Sequence, residues 1–199
     1  MFKDYKCIAI GGSAGSFSVA IEILKGLPAN FSLPILICMH RMKTGKEGFV
    51  NALNIKSQLK VLEPLDKERI RKNNVYLAPA NYHMYVEFNK TISLSTEEDY
   101  NYSRPAIDLM FNSAAYAYKK HLIGIILSGA NHDGAKGLKS IKDFGGTTII
   151  QNVNECQVPT MPLASKQITQ IDFELSTSEI INFLTKIHQN KMIQSSLIK

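Results

Sequence analysis

The sequence has no tryptophan and only three cysteines, Cys7, Cys38 and Cys156, too far apart for any CxxC pair. That spacing excludes a zinc ribbon and a thioredoxin-like redox site. Cys7 and Cys38 fall in apolar runs and read as small core residues. No grouping of His, Asp and Glu has metal-ligand spacing, so no metal and no cofactor is expected. Long hydrophobic runs are missing as well. The longest, 33–39 and 122–127, fall far short of the ~20 residues that a membrane span requires. The first seven residues contain no apolar signal-type stretch, so the reading expects a cytoplasmic chain without membrane insertion. Acidic residues are the minority: 17 Asp+Glu face 23 Lys+Arg, a net charge of +6. Such a balance favours an acidic partner surface. The basic residues are scattered and not interleaved with aromatics, which argues against nucleic acid.

What is present describes an ordinary globular chain. The 199 residues are 45% hydrophobic and 20% charged, enough for one domain with a substantial core. The expected domain spans 1–190, with 191–199 as a frayed tail. Strand-like runs fall at 5–11, 33–39, 59–63, 75–78, 122–128 and 147–151. Segments 83–88 and 91–95 read as a hairpin around Asn89-Lys90. Helical spacing marks 17–27, a short helix at 49–53, 105–118, 135–144, a turn at 163–167, and 176–189. In the segment 105–118, Pro105 falls in the first turn and Ile107, Met110, Phe111, Ala114 and Ala115 share a face. Ser176 and Glu179 have capping-box spacing. Strands alternating with helices predict a three-layer α/β/α domain. Its sheet is mostly parallel and doubly wound, with a small antiparallel hairpin. Ligands in such folds bind beyond the carboxyl ends of the strands.

The first strand ends in Gly11-Gly12-Ser13-Ala14-Gly15-Ser16. A dinucleotide loop is excluded, because G-x-G-x-x-G is absent and the second strand ends in a histidine, not an acid. There is no G-K-[ST] either. The pattern that fits is G-x-S-x-G on a strand-to-helix turn, which lifts the serine Oγ above the sheet. Ser13 is therefore a candidate nucleophile; the competing reading is a Gly-rich turn with a capping serine. The second strand ends at His40, a candidate base for that hydroxyl or simply an exposed strand-end histidine. The third buried strand runs into Ser128-Gly129-Ala130-Asn131-His132-Asp133-Gly134. Asp133 is either a helix N-cap or the third member of a Ser-His-Asp triad. Backbone N–H groups around Ala130 are candidate oxyanion donors. His132 competes with His40 for the base; strand-end placement favours His40. His83 reads as structural, and His121 and His188 as surface residues.

With these residues in this order, the chain resembles the catalytic domain of CheB-type chemotaxis protein-glutamate methylesterases. The resemblance rests on five motifs. They are Ile10-Gly11-Gly12-Ser13-Ala14-Gly15; Met39-His40-Arg41-Met42; the segment from Val75-Tyr76-Leu77-Ala78-Pro79 to His83-Met84; Arg104-Pro105-Ala106-Ile107-Asp108-Leu109-Met110-Phe111; and Leu127-Ser128-Gly129-Ala130-Asn131-His132-Asp133-Gly134-Ala135. The resemblance implies Ser13 as nucleophile, His40 as base and Asp133 as its partner, with substrate held at Ala14 and the Ala130 N–H. It implies hydrolysis of glutamate γ-methyl esters, and deamidation of glutamines, on the acidic helical cytoplasmic domains of methylated chemoreceptors. A methyltransferase or a separate response regulator joins the implied partners. The alternative is a catalytically weak or inactive receptor- or methyltransferase-binding adaptor of the same fold. Five positions depart from the family pattern: Ala14 replaces threonine, Ser16 the second glycine of a Gly-Gly ending, Ala130 methionine and Asn131 glycine, and Arg41 interrupts a His-Met-Pro run. A receiver domain does not fit ahead of a strand beginning at residue 5, so phosphorylation within this chain is not expected to control it.

Overall fold

The structure is a computed structural model that describes residues 3–40 and 48–196. The chain begins with β1 (Cys7–Gly12), α1 (Ser16–Gly26), β2 (Ile35–Met39), α2 (Gly48–Lys56), β3 (Lys60–Leu62) and β4 (Asn74–Leu77). A hairpin follows, β5 (His83–Val86) and β6 (Ile92–Ser95), and then α3 (Ile107–Tyr118). The remaining elements are β7 (Leu122–Ile126), α4 (Ala135–Asp143), β8 (Thr147–Gln151), α5 (Thr160–Ile168), β9 (Phe173–Leu175) and α6 (Thr177–Ser196). The large sheet has the order β3-β4-β2-β1-β7-β8-β9 and is parallel at every pairing. β5 and β6 form the separate antiparallel pair.

The central strands are continuous apolar runs because both faces of the sheet are covered. Ile8, Ile10, Ile35, Ile37, Ile123 and Ile125 alternate onto one face, in a cluster with residues of α1 and α6. Cys7, Ala9, Leu36 and Cys38 alternate onto the other, against Met110, Phe111 and Ala114 of α3. Small residues on that second face let α3 lie close to β1. The two cysteines are thus core residues, as their apolar surroundings predicted.

The strand order explains where a site forms. From β1 the chain moves to β2 and on to β3 and β4, then crosses back to the other flank of β1 at β7. The carboxyl ends of β2, β1 and β7 therefore surround the point where the winding reverses, the usual crevice of an open α/β sheet.

Several boundaries differ from those the sequence predicts. α3 begins at Ile107 with Ala106 at its N-cap, so Pro105 lies ahead of the helix and not in its first turn. α5 is a nine-residue helix and not a single turn, and β9 pairs with β8 as an unanticipated edge strand. α6 continues to Ser196 instead of ending at 189. His188 is buried, not on the surface, because it follows Ile180, Leu184 and Ile187 on the face of α6 turned to the core. Its Nδ1 accepts the Ser32 N–H at 3.2 Å. The capping box forms as predicted: the Ser176 N–H donates to Glu179, and the Glu179 N–H to the Ser176 Oγ.

Candidate active site

Register brings three strand ends to one height. Gly12 pairs with Met39, and the next residue along, His40, donates its N–H to the Gly12 carbonyl at 3.2 Å. On the other side the Ser13 N–H donates to the Ser128 carbonyl at 2.9 Å. Ser13 thus stands between the ends of β2 and β7. The chain then turns into α1 through Gly15, whose φ of 81° is a conformation that glycine adopts without strain. Ser13 is half-buried, and its Oγ has no hydrogen-bond partner among the described residues.

The structure brings His40 and Asp133 together. His40 Nε2 lies 2.8 Å from Asp133 Oδ2, with side-chain exposures of 13% and 0%. An ionised carboxylate only accepts, so Nε2 carries the proton in the neutral ring and Nδ1 is left as the acceptor nitrogen. His132 is exposed and takes no part in this pair.

Asp133 does not cap the helix that follows it. Its Oδ2 accepts the Ile107 N–H at 2.6 Å; its Oδ1 accepts the Asp108 N–H at 3.1 Å and Asn101 Nδ2 at 2.9 Å. The carboxylate thus sits on the amino end of α3, whose own N-cap residue, Ala106, offers no side-chain acceptor. The arrangement is reciprocal. Asp108, in the first turn of α3, accepts the Gly137 N–H of α4 at 2.7 Å. The N-cap of α4, Gly134, has no side chain to do this. Gly134 holds φ at 93°, which turns Asp133 away from α4 and toward α3. Burial pushes the Asp133 carboxyl up, but hydrogen bonds from His40, Asn101 and the two α3 amides outweigh it and hold the group below its usual range. Burial and then the charge of Asp133 push Asp108 the other way, against the pull of the Gly137 N–H.

The surrounding loops carry the remaining polar groups. Ala14 and Ala130 are exposed, and their N–H groups have no acceptor among the described residues. The Ser128 Oγ donates to the Ala14 carbonyl at 2.7 Å and ties the two loops together. Asn131 Oδ1 accepts the Asp133 N–H at 3.1 Å, and its Nδ2 lies 3.3 Å from His40 Nδ1. Asn131 is not among the positive-φ residues, so no glycine-type backbone is needed there. Asn101, Tyr102, Asn131, His132 and Lys136 line a cleft of about 250 Å³ over Asp108 and Asp133. A larger cavity, about 640 Å³, lies at the amino ends of the strands beside Lys6, Lys72 and Lys191. It contains no serine–histidine–carboxylate grouping and sits away from the switch point. His83 is buried and fully engaged: Nδ1 accepts the Ala106 N–H and Nε2 bonds the Glu98 carbonyl. Among the described residues no group of three or more His, Cys, Asp and Glu side chains could hold a metal ion. No helix of the described residues is long and apolar enough to cross a membrane.

Sequence reasoning missed Asn101 and the contacts of Asn131. Asn101 lies in a loop at a positive φ of 52°, and nothing local signals that it reaches two carboxylates at once. Asn131 was visible only as a departure from the family pattern.

Comparison with known proteins is consistent with this geometry. The profile of the CheB methylesterase family matches residues 8–184. A Leptospira interrogans protein, provisionally named a protein-glutamate methylesterase/protein-glutamine glutaminase, is 38% identical over 96% of this chain and 99% of its own length. The protein-glutamate methylesterase/protein-glutamine glutaminase of Clostridium acetobutylicum is 31% identical over 92% of this chain, which spans 53% of that longer protein. The crystal structure of the Thermotoga maritima CheB methylesterase catalytic domain superposes with a TM-score of 0.87 at 31% identity, covering 92% of this chain and 98% of that domain. Fold and matched length agree, and the chain belongs to the CheB methylesterase family.

Proposed function

We propose that the chain hydrolyses glutamate γ-methyl esters on chemoreceptor cytoplasmic domains, and deamidates glutamines there, through Ser13, His40 and Asp133. The observation that carries this reading is the 2.8 Å contact of His40 with a fully buried Asp133, beside a serine at the switch point of the sheet. Asp133 fixes the Nε2–H tautomer, so Nδ1 is the base. Ser13 Oγ attacks the ester carbonyl while His40 Nδ1 takes its proton. Negative charge develops on the carbonyl oxygen, within a loop pair whose Ala14 and Ala130 N–H groups are unengaged by the described residues. Methanol leaves with the proton from His40. Water, deprotonated by His40 in turn, then attacks the acyl-serine and releases glutamate. For a glutamine the leaving group is ammonia. The net charge of +6 suits an acidic helical receptor surface.

The test is methanol release from a methylated receptor cytoplasmic fragment, with Ser13→Ala alongside. Release by the wild type that falls about 10³-fold or more in the variant supports the serine mechanism. Equal release by both overturns it. Binding of the fragment with no release from either protein makes the chain an adaptor.

A further inference from the structure

The acceptor nitrogen of His40 is already occupied. Nε2 is bound to Asp133, and Asn131 Nδ2 lies 3.3 Å from Nδ1. The orientation of the Asn131 amide is fixed by its other end, because Oδ1 accepts the Asp133 backbone N–H at 3.1 Å. A backbone N–H can only donate, so the oxygen must face it and the NH₂ must face His40. The contacts close a loop. The Asp133 N–H holds Asn131, Asn131 donates to Nδ1, and Nε2–H donates back to the Asp133 carboxylate. Every donor in it meets an acceptor, and only the Nε2–H tautomer satisfies it. Ser13 is left out: its Oγ has no partner among the described residues.

We propose that Asn131 is a positioning residue that holds the base in reserve, its amide occupying the His40 nitrogen that must receive the Ser13 proton. This rests on the assignment of His40 as the base. When Nδ1 takes the proton, it becomes a donor facing the donor NH₂ of Asn131, so the contact cannot survive into the transition state. An interaction made only in the ground state raises the barrier by its own worth. Asn131 also follows Ala130, whose N–H is the proposed oxyanion donor. Substrate entering that loop is therefore placed to displace the amide and hand Nδ1 to Ser13. Substrate-free enzyme is braked, and substrate releases the brake.

The experiment compares wild type with Asn131→Gly and Asn131→Ser. Serine keeps a short acceptor for the Asp133 N–H and does not reach His40. The probe is a small phosphonofluoridate: Ser13 Oγ forms the P–O bond, fluoride leaves, and His40 accepts the hydroxyl proton. Both variants are expected to label about fivefold faster than wild type, the worth of one net hydrogen bond. On a small ester their kcat/KM is expected to rise through a lower KM with kcat unchanged, because substrate has already displaced the amide when the chemical step begins. The ¹⁵N resonance of His40 Nδ1 is expected to move downfield as its hydrogen bond is lost. Labelling that is unchanged or slower in both folded variants overturns the proposal, and so does faster labelling with the Nδ1 resonance unmoved. His40→Ala separates the two readings. If it labels as fast as wild type, the base assignment itself fails, whatever Asn131 does.

Discussion

Asp133 carries two duties on one carboxylate, and they cannot be separated by substitution. Its oxygens accept from His40, Ile107, Asp108 and Asn101. Asn at this position replaces one accepting oxygen with an NH₂, which then faces donors in either orientation. Asp133→Asn is expected to lower kcat about 10⁴-fold, because the base loses its tautomer. It is also expected to destabilise the fold by about 2–3 kcal/mol at neutral pH, as buried donors lose a charged acceptor. The pH dependence follows from the depressed carboxyl. A group held below its unfolded value of 3.8 contributes stability that is complete above that value and is lost as pH falls through the folded one. Urea unfolding of wild type and variant should therefore give a constant gap from neutral pH down to about 3.8, closing only at more acid pH. The identity of this residue was legible in the sequence, at the end of a buried strand. Its role on α3 was not, because the helix it caps lies 26 residues earlier in the chain.

At the scale of elements, α3 and α4 exchange acidic caps across their amino ends. Gly134 makes the exchange possible. A Cβ there would lie 2.7 Å from Ile107 Cγ2 and 2.7 Å from Ile126 Cδ1, at a φ that side chains rarely adopt. Gly134→Ala combines a left-handed backbone penalty with an overpacked contact. It is expected to cost about 2–5 kcal/mol, read from the shift in denaturation midpoint at constant m. Among the strands of the large sheet, those that sequence reasoning found are, β3 apart, buried on both faces along most of their length, such as 33–39 and 122–128. Those it missed carry little of that signal. Phe173 and Glu174 of β9 are exposed, so the strand is recognisable only by its pairing with β8. α5 begins with Thr160-Met161-Pro162, and its buried residues include a proline and a serine, a composition that masks helical spacing.

For the whole molecule, the parallel sheet gathers residues 13, 40 and 133 at one edge from three distant parts of the chain. Register sets the heights of Ser13 and His40, and the amino end of α3 holds Asp133 beyond the end of β7, so only the strand ends could be read from where apolar runs stop. The net positive charge belongs to this scale as well. If it steers an acidic receptor surface toward the cleft, KM for a receptor fragment should rise steeply between low and physiological salt, while KM for a small neutral ester should stay constant. Parallel salt titrations of the two substrates check this, and equal slopes would remove charge from the recognition argument.

The reciprocal caps also bear on how this fold ages. A descendant that no longer needed chemistry could discard the hydroxyl of Ser13 at little structural expense, whereas losing the ring of His40 would take one donor from the buried Asp133 carboxylate. Discarding Asp133 would strip the amino end of α3 of its acidic cap. Among relatives that have drifted into purely scaffolding roles, the aspartate should therefore outlast the serine. A surviving aspartate at this position is a record of architecture before it is a record of chemistry.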